Sequence, residues 1–96
     1  MIRMVIGILH VDVHLPEAHS LKDKRSVIKS LRDQLRGRFN IAVAESEPNE
    51  KWQRSAKAIA ALGADRTYVQ AVLRQVEQWI RDSHLVNLIQ IEEEYL

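Results

Sequence analysis

The chain has 96 residues, of which 46% are hydrophobic and 28% charged, and its formal net charge at pH 7 is +1. This length suits one hydrophobic core, so we expect residues 1–96 to form a single domain. The absence of cysteine excludes disulfides, thiol catalysis and cysteine-ligated zinc. The apolar run from Met4 to Leu9 is too short to cross a membrane, and we expect a cytoplasmic protein with no membrane partner.

The first predicted strand covers residues 2–15, is rich in Ile and Val, and is closed by Pro16. Side chains alternate across a strand, so one face stays apolar from Val5 to Leu15. The opposite face begins apolar and turns polar halfway along. We therefore expect the first face to lie under helices and the second to be open.

An amphipathic helix is predicted from Ser20 to Gly37, and between Ser20 and Arg38 seven basic residues outnumber two acidic ones. Its apolar side chains recur every three or four residues and should face the core: Leu21, Val27, Ile28, Leu31 and Leu35. A second row lies about 100° further around the helix. We call this row the basic stripe: Lys22, Arg25, Lys29, Arg32 and Arg36. Ser20 is a typical N-cap with Asp23 as the capping-box acid, and Gly37 is expected to end the helix.

Two further strands are predicted on either side of a turn at residues 47–50. The second strand runs through Phe39, Ile41 and Val43. The third covers residues 51–62 and would place these residues under the helices: Trp52, Ala56, Ala58, Ala60 and Leu62. The other face would then carry Gln53, Ser55, Lys57, Ile59 and Ala61. The alternating alanines also fit a helix, because alanine has the highest helical propensity.

A second amphipathic helix should begin after Asp65, a suitable N-cap, and end near Ser83, and a last strand follows over residues 86–91. The resulting order is strand, helix, strand, strand, helix, strand. It predicts an α+β fold, a ferredoxin-like βαββαβ sandwich with both helices on one face of a four-stranded antiparallel sheet. The other face of the sheet would be open.

Three stretches of the chain, SLKDKRSVIKSLRDQLRGRFNIAVAE, GILHVDVHLP and WQRSAKAIA, resemble the YlxP-like family of small bacterial proteins, which is grouped under a domain of unknown function. The resemblance covers nearly the whole chain. It implies a ferredoxin-like fold in a cytoplasmic bacterial protein whose related genes often sit beside translation and ribosome-maturation factors. It offers no established catalytic residue to carry over.

The basic stripe is the main candidate for binding. Lys and Arg at helical spacing can contact phosphates and supply affinity without reading a base sequence. The alternative is a solvated helix face with local ion pairs such as that between Lys29 and Asp33. The resemblance favours RNA or a ribosomal particle over DNA. The expected open face carries no base-stacking aromatic, so binding should be salt-dependent and weakly selective.

His10, Asp12 and His14 recur at every second position and should share the open face of the first strand. Imidazole and carboxylate groups suit zinc, and His84 is a conceivable fourth ligand. Ligands on one flat strand diverge, however, so these residues are weak metal candidates, and we expect no metal or other cofactor.

Catalysis finds little support in the sequence. Asp12 and Glu45 would be separated by the third strand, and the glycine-rich anion cradle of acylphosphatases is missing because residues 15–25 contain no glycine. We therefore expect a protein that is not an enzyme and has no catalytic residue.

Assembly is the alternative to RNA binding. Ile6, Ile8 and Ile59 are expected on the open sheet face, where an apolar patch favours a homodimer. Trp52 and Trp79 are interpreted as core residues.

Overall fold

The computed structural model describes residues 3–47 and 51–96. Its elements are β1 (Val5–His14), α1 (Leu21–Arg38), β2 (Ala42–Glu47), β3 (Arg54–Gly63), α2 (Arg66–Asp82) and β4 (Asn87–Tyr95). The strands form one antiparallel sheet in the order β2-β3-β1-β4. This arrangement confirms the predicted α+β, ferredoxin-like βαββαβ fold.

The hydrophobic core lies between the helices and one face of the sheet. Alternate residues of β1 are buried there, which confirms that its uninterrupted apolar face lies under the helices. The helices contribute side chains at three- and four-residue spacing: Leu31 and Leu35 from α1, and Val69, Leu73, Val76 and Ile80 from α2. Trp79 also packs against this core, as predicted.

The two faces of β3 are the reverse of the prediction. Ile59 is only 1% exposed and belongs to the core, whereas Leu62 is 57% exposed. The register explains this, because Ile59 pairs with the buried Leu9 while Leu62 pairs with Ile6. Paired residues of adjacent strands lie on the same face of a sheet. The predicted interface residue Ile59 therefore does not lie on the open face.

The start of β3 also differs from the prediction. The strand begins at Arg54, so Trp52 precedes it and is 53% exposed. The interpretation of Trp52 as a core residue is wrong. The alternating alanines form a strand and not a helix. The turn predicted at residues 47–50 falls largely on residues 48–50, which lie outside the described residues.

Side-chain caps define the start of each helix. The Ser20 Oγ accepts a hydrogen bond from the Asp23 backbone N–H at 3.0 Å, as predicted, while the Asp23 carboxylate accepts from the His19 N–H at 3.0 Å. In α2, the Asp65 carboxylate accepts from the Tyr68 N–H at 2.8 Å. At its other end α1 continues through Gly37 to Arg38, one residue beyond the predicted end.

Candidate functional site

The basic stripe lies on the outer side of α1. Arg32 is half-buried, and the other four members are exposed: Lys22, Arg25, Lys29 and Arg36. Within the described ranges, no carboxylate forms an ion pair with Lys22, Arg25 or Arg36. Leu21, which was predicted to face the core, is 38% exposed beside them. The stripe thus presents unpaired cations to solvent.

Asp33 is the carboxylate that neutralises part of the stripe. Its Oδ2 accepts a hydrogen bond from the Lys29 ammonium at 3.1 Å, and its Oδ1 lies 3.5 Å from the Arg32 Nε. The hydrogen bond from Lys29, followed by the positive charges of Lys29 and Arg32, lowers the pKa of Asp33 from its ordinary value of 3.8. Asp33 is therefore ionised at neutral pH and competes with any incoming anion for Lys29.

A groove of about 330 Å³ lies between α1 and strands β2 and β3. Three cations of the basic stripe line the wall that α1 provides. The full lining is Arg25, Ile28, Lys29, Arg32, Val43, Ala44, Glu45 and Lys57. We call this space the α1 groove.

Lys57 supplies a further cation to the α1 groove from β3. The residue is 8% exposed, and its partner across the β2–β3 ladder is Glu45. Burial lowers the pKa of Lys57 from its ordinary value of 10.5; the negative charge of Glu45 acts in the opposite direction, and the charges of Lys24 and Arg32 lower it further. No carboxylate in the part of the chain that the structure describes lies within ion-pair distance of the Lys57 ammonium.

Lys24 is not part of the basic stripe and makes a structural contact. It is 6% exposed, and its ammonium donates a hydrogen bond to the Lys51 carbonyl at 3.0 Å. This bond ties the first turns of α1 to the segment that leads into β3. Trp52 lies in that segment and lines a shallow hollow with His14, Gln53 and Arg54.

The three weak metal candidates on β1 each have a different neighbour. The His10 Nε2 lies 3.1 Å from a Glu94 carboxylate oxygen, and Asp12 accepts a hydrogen bond from the Arg54 guanidinium. The His14 Nδ1 lies 3.4 Å from the Asn87 amide nitrogen. Over residues 3–47 and 51–96, no group of three His, Asp or Glu side chains is placed to hold a metal ion.

Asp12 and Glu45 are kept apart by the sheet. β3 lies between their strands, as predicted. Asp12 pairs with Ala56 on the open face, whereas Glu45 pairs with Lys57 on the helix-covered face. The two carboxylates therefore do not form a catalytic pair.

A family model described as "Protein of unknown function (DUF503)" matches residues 6–93. The chain belongs to the DUF503 family. It is similar to the uncharacterized protein YlxP of Bacillus subtilis (strain 168), with 30% identity over 76 residues that cover 79% of this chain and 83% of that protein. These matches confirm the resemblance to YlxP-like proteins.

The DUF503 chain is also similar in structure to the de novo designed protein Foldit4. The TM-score is 0.55, with 11% sequence identity and coverage of 98% of this chain and 97% of that one. A likeness at this identity supports the fold alone. Neither helix in the described part of the DUF503 chain is long and apolar enough to cross a membrane.

Sequence reasoning located the stripe of this DUF503 protein but missed the α1 groove. It assigned Lys57 to the open face together with Ile59. Because the two residues are two positions apart in a strand, they share a face, and the burial of Ile59 carries Lys57 to the helix side. An apolar Ile in the middle of β3 was the available indication of which face is covered.

Proposed function

We propose that this DUF503 protein is a cytoplasmic binding module that contacts RNA, free or in a ribonucleoprotein particle, through the basic stripe on α1. The observation that supports this most strongly is the exposure of Lys22, Arg25 and Arg36 without an ion pair to any described residue. Cations of this kind bind phosphates by displacing condensed counterions. We assign no catalytic role to any residue.

The mode of contact follows from what surrounds the stripe. Among the described strand residues on the open face, none is Phe, Tyr or Trp, so that face lacks the stacking platform of many single-strand binders. Contacts from the stripe would go to the sugar-phosphate backbone. We therefore expect binding that tolerates many base sequences and weakens steeply with salt.

Charge reversal in the stripe tests the proposal. In the double variant Arg25→Glu/Arg36→Glu, the affinity for a fluorescein-labelled single-stranded RNA should fall, as measured by fluorescence anisotropy. The slope of log affinity against log salt should shrink by about 0.7 for each phosphate that the variant no longer neutralises. Both residues are exposed and outside the hydrophobic core, so the variant should fold.

The matched control places the same charge change on the other helix. Arg66→Glu/Arg74→Glu alters two exposed arginines of α2 and should bind RNA like the wild type, apart from a small non-specific effect of net charge. Because the Arg66 guanidinium lies 4.2 Å from the centre of the Tyr95 ring, circular dichroism should accompany this measurement to confirm that the control folds. Equal losses in the two variants, or no loss in the stripe variant, would leave the proposed RNA contact without support.

A separate observation supports a second candidate function, which is assembly as a homodimer through the open sheet face. Ile6 and Leu62 pair across β1 and β3 and are 39% and 57% exposed. The half-buried Ile8 continues this apolar patch along β1. Two such faces can stack about 10 Å apart, as packed sheets do.

Light scattering distinguishes this candidate. Leu62→Lys should convert a dimer to a monomer, whereas Tyr68→Lys, which replaces an equally exposed side chain on α2, should leave the mass unchanged. A wild-type protein with the mass of a single chain would remove this candidate.

A further inference from the structure

We propose that the α1 groove is a binding site for a phosphoryl group, either free or in an RNA backbone, and that Lys57 is its innermost ligand. The proposal rests on the proposed function to the extent that the basic stripe forms one wall of the groove. It adds a defined pocket, a residue outside the stripe and a chemical class of ligand.

The first argument is the position of Lys57. More than nine-tenths of the residue is buried, and its ammonium lines the groove without a hydrogen bond or an ion pair to the described residues. Partial burial disfavours the charged form of an ammonium group that no carboxylate contacts. An anion that enters the groove would provide the missing partner.

The second argument is a matching group on α1. The Arg32 Nε is buried and has no hydrogen-bond partner among the described residues, although it lies 3.5 Å from Asp33 Oδ1. Arg32 lines the groove from α1 and Lys57 lines it from β3, so a ligand between them can meet the Lys57 ammonium and, in competition with Asp33, the Arg32 guanidinium. A phosphoryl group offers several acceptor oxygens at once and suits guanidinium and ammonium donors together.

The charge and the surroundings of the groove also favour a phosphoryl group as the ligand. Four cations line it, of which Lys29 and Arg32 also contact Asp33, against Glu45 as the lining carboxylate. Apolar side chains lie beneath Lys57 and Arg32 and join the groove to the core: Leu31, Leu35, Val43 and Ile59. Limited access of water to this floor strengthens the attraction between the cations and a bound anion.

The groove is large enough for a phosphoryl group with part of the molecule that carries it. Its volume of about 330 Å³ is at the lower end of the range of ligand pockets. A bound dianion would also oppose the effect of burial on Lys57 and raise its pKa again. Glu45 has the opposite role, because its charge repels an anion at the mouth.

Titration with pyrophosphate alone, followed by ¹H–¹⁵N NMR, tests the site. We expect saturable shifts of the amides of Val43, Ala44 and Lys57. In Lys57→Met the affinity should fall about 10- to 100-fold, the loss expected for one charge-assisted hydrogen bond, and Lys57→Arg should recover part of it. Lys22→Met, which changes a stripe lysine that does not line the groove, should bind pyrophosphate like the wild type.

Glu45→Gln is a second variant that does not depend on the folding of Lys57→Met. It should bind pyrophosphate more tightly, because it removes the repelling charge. Absence of shifts in the groove, or equal affinities of wild type and Lys57→Met, would overturn the site. So would weaker binding by Glu45→Gln.

RNA titration of the same variants separates the two sources of the phosphoryl group. Weaker RNA binding by both Lys57→Met and Lys22→Met supports a backbone phosphate in the groove. Pyrophosphate binding without RNA binding supports a free phosphorylated ligand and removes the proposed function. RNA binding that Lys22→Met weakens and Lys57→Met does not, with no pyrophosphate shift, removes the groove site and leaves the proposed function standing.

Discussion

Lys57 stands directly opposite Glu45 across the β2–β3 ladder, but no ion pair joins the two side chains. Opposite charges at paired positions of a sheet normally meet and stabilise it. Here Lys57 is only 8% exposed and lines the α1 groove together with Arg32, while Glu45 is exposed on the edge strand. Lys57 is thus a partly desolvated cation with no ion pair to a carboxylate of the described residues.

The positive charge of Lys57 should lower the free energy of unfolding. Lys57→Met keeps an unbranched side chain as far as Cε and removes the ammonium, so it should stabilise the protein by about 1 kcal/mol at neutral pH. Urea denaturation, with Lys22→Met as the control for an exposed lysine, measures the difference. A Lys57→Met variant less stable than the wild type would show that the ammonium is favourably placed even without ligand.

The lowered pKa of Lys57 leads us to expect that the free energy of unfolding depends on pH. The pKa of Lys57 is lower in the folded state than its ordinary value of 10.5, so between these two values the unfolded state binds more protons. The free energy of unfolding should therefore rise with pH across this window. Urea denaturation should show that Lys57→Met lacks this rise relative to the wild type, and parallel curves for the two proteins would contradict the assignment.

Asp33 should limit the affinity of the stripe for RNA. Asp33→Asn removes the carboxylate that binds Lys29 and lies beside Arg32, which leaves both cations available to phosphates. We expect tighter RNA binding and a steeper salt dependence, measured by fluorescence anisotropy. Asp82→Asn on α2 makes the same charge change away from the stripe, and an equal gain in that variant would indicate an effect of net charge alone.

Substitution of alanine for Gly7 and for Gly37 should change the stability of the protein in opposite directions. A Cβ at Gly7 would lie 2.6 Å from Val69 Cγ1 and 2.8 Å from Leu73 Cδ1, because α2 packs closely on β1 there. Gly7→Ala should therefore destabilise the protein by about 1–3 kcal/mol. Gly37 lies in α1 with nothing within 4 Å of such an atom, and Gly37→Ala should stabilise by about 0.5–1 kcal/mol. Urea denaturation of both variants checks the signs, and a stable Gly7→Ala would contradict the close packing of α2.

The order of elements could be predicted from the sequence because each has a strong local pattern. Apolar residues occupy every position of one face of β1, and Ser20 and Asp65 cap the two helices. The basic stripe followed from helical spacing alone. Local pattern was therefore enough to predict the fold and the exposed cations.

The orientation of β3 could not be obtained in this way. Its alanines are compatible with either face, and the choice is made by pairing with β1, where Leu9 fixes Ile59 in the core. That long-range register also buries Lys57 and exposes Leu62. The α1 groove was missed for this reason, since it needs a residue of β3 and residues of α1 on the same side of the sheet.

Mapping the surface that RNA contacts is the most direct test of the proposed function. In ¹H–¹⁵N NMR spectra of the wild type titrated with a short single-stranded RNA, we expect the largest shifts in α1 between residues 22 and 36 and along the facing residues of β2. Shifts confined to the open sheet face around Ile6 and His10, or no shifts at low salt, would contradict the assignment of the basic stripe as the RNA-binding surface.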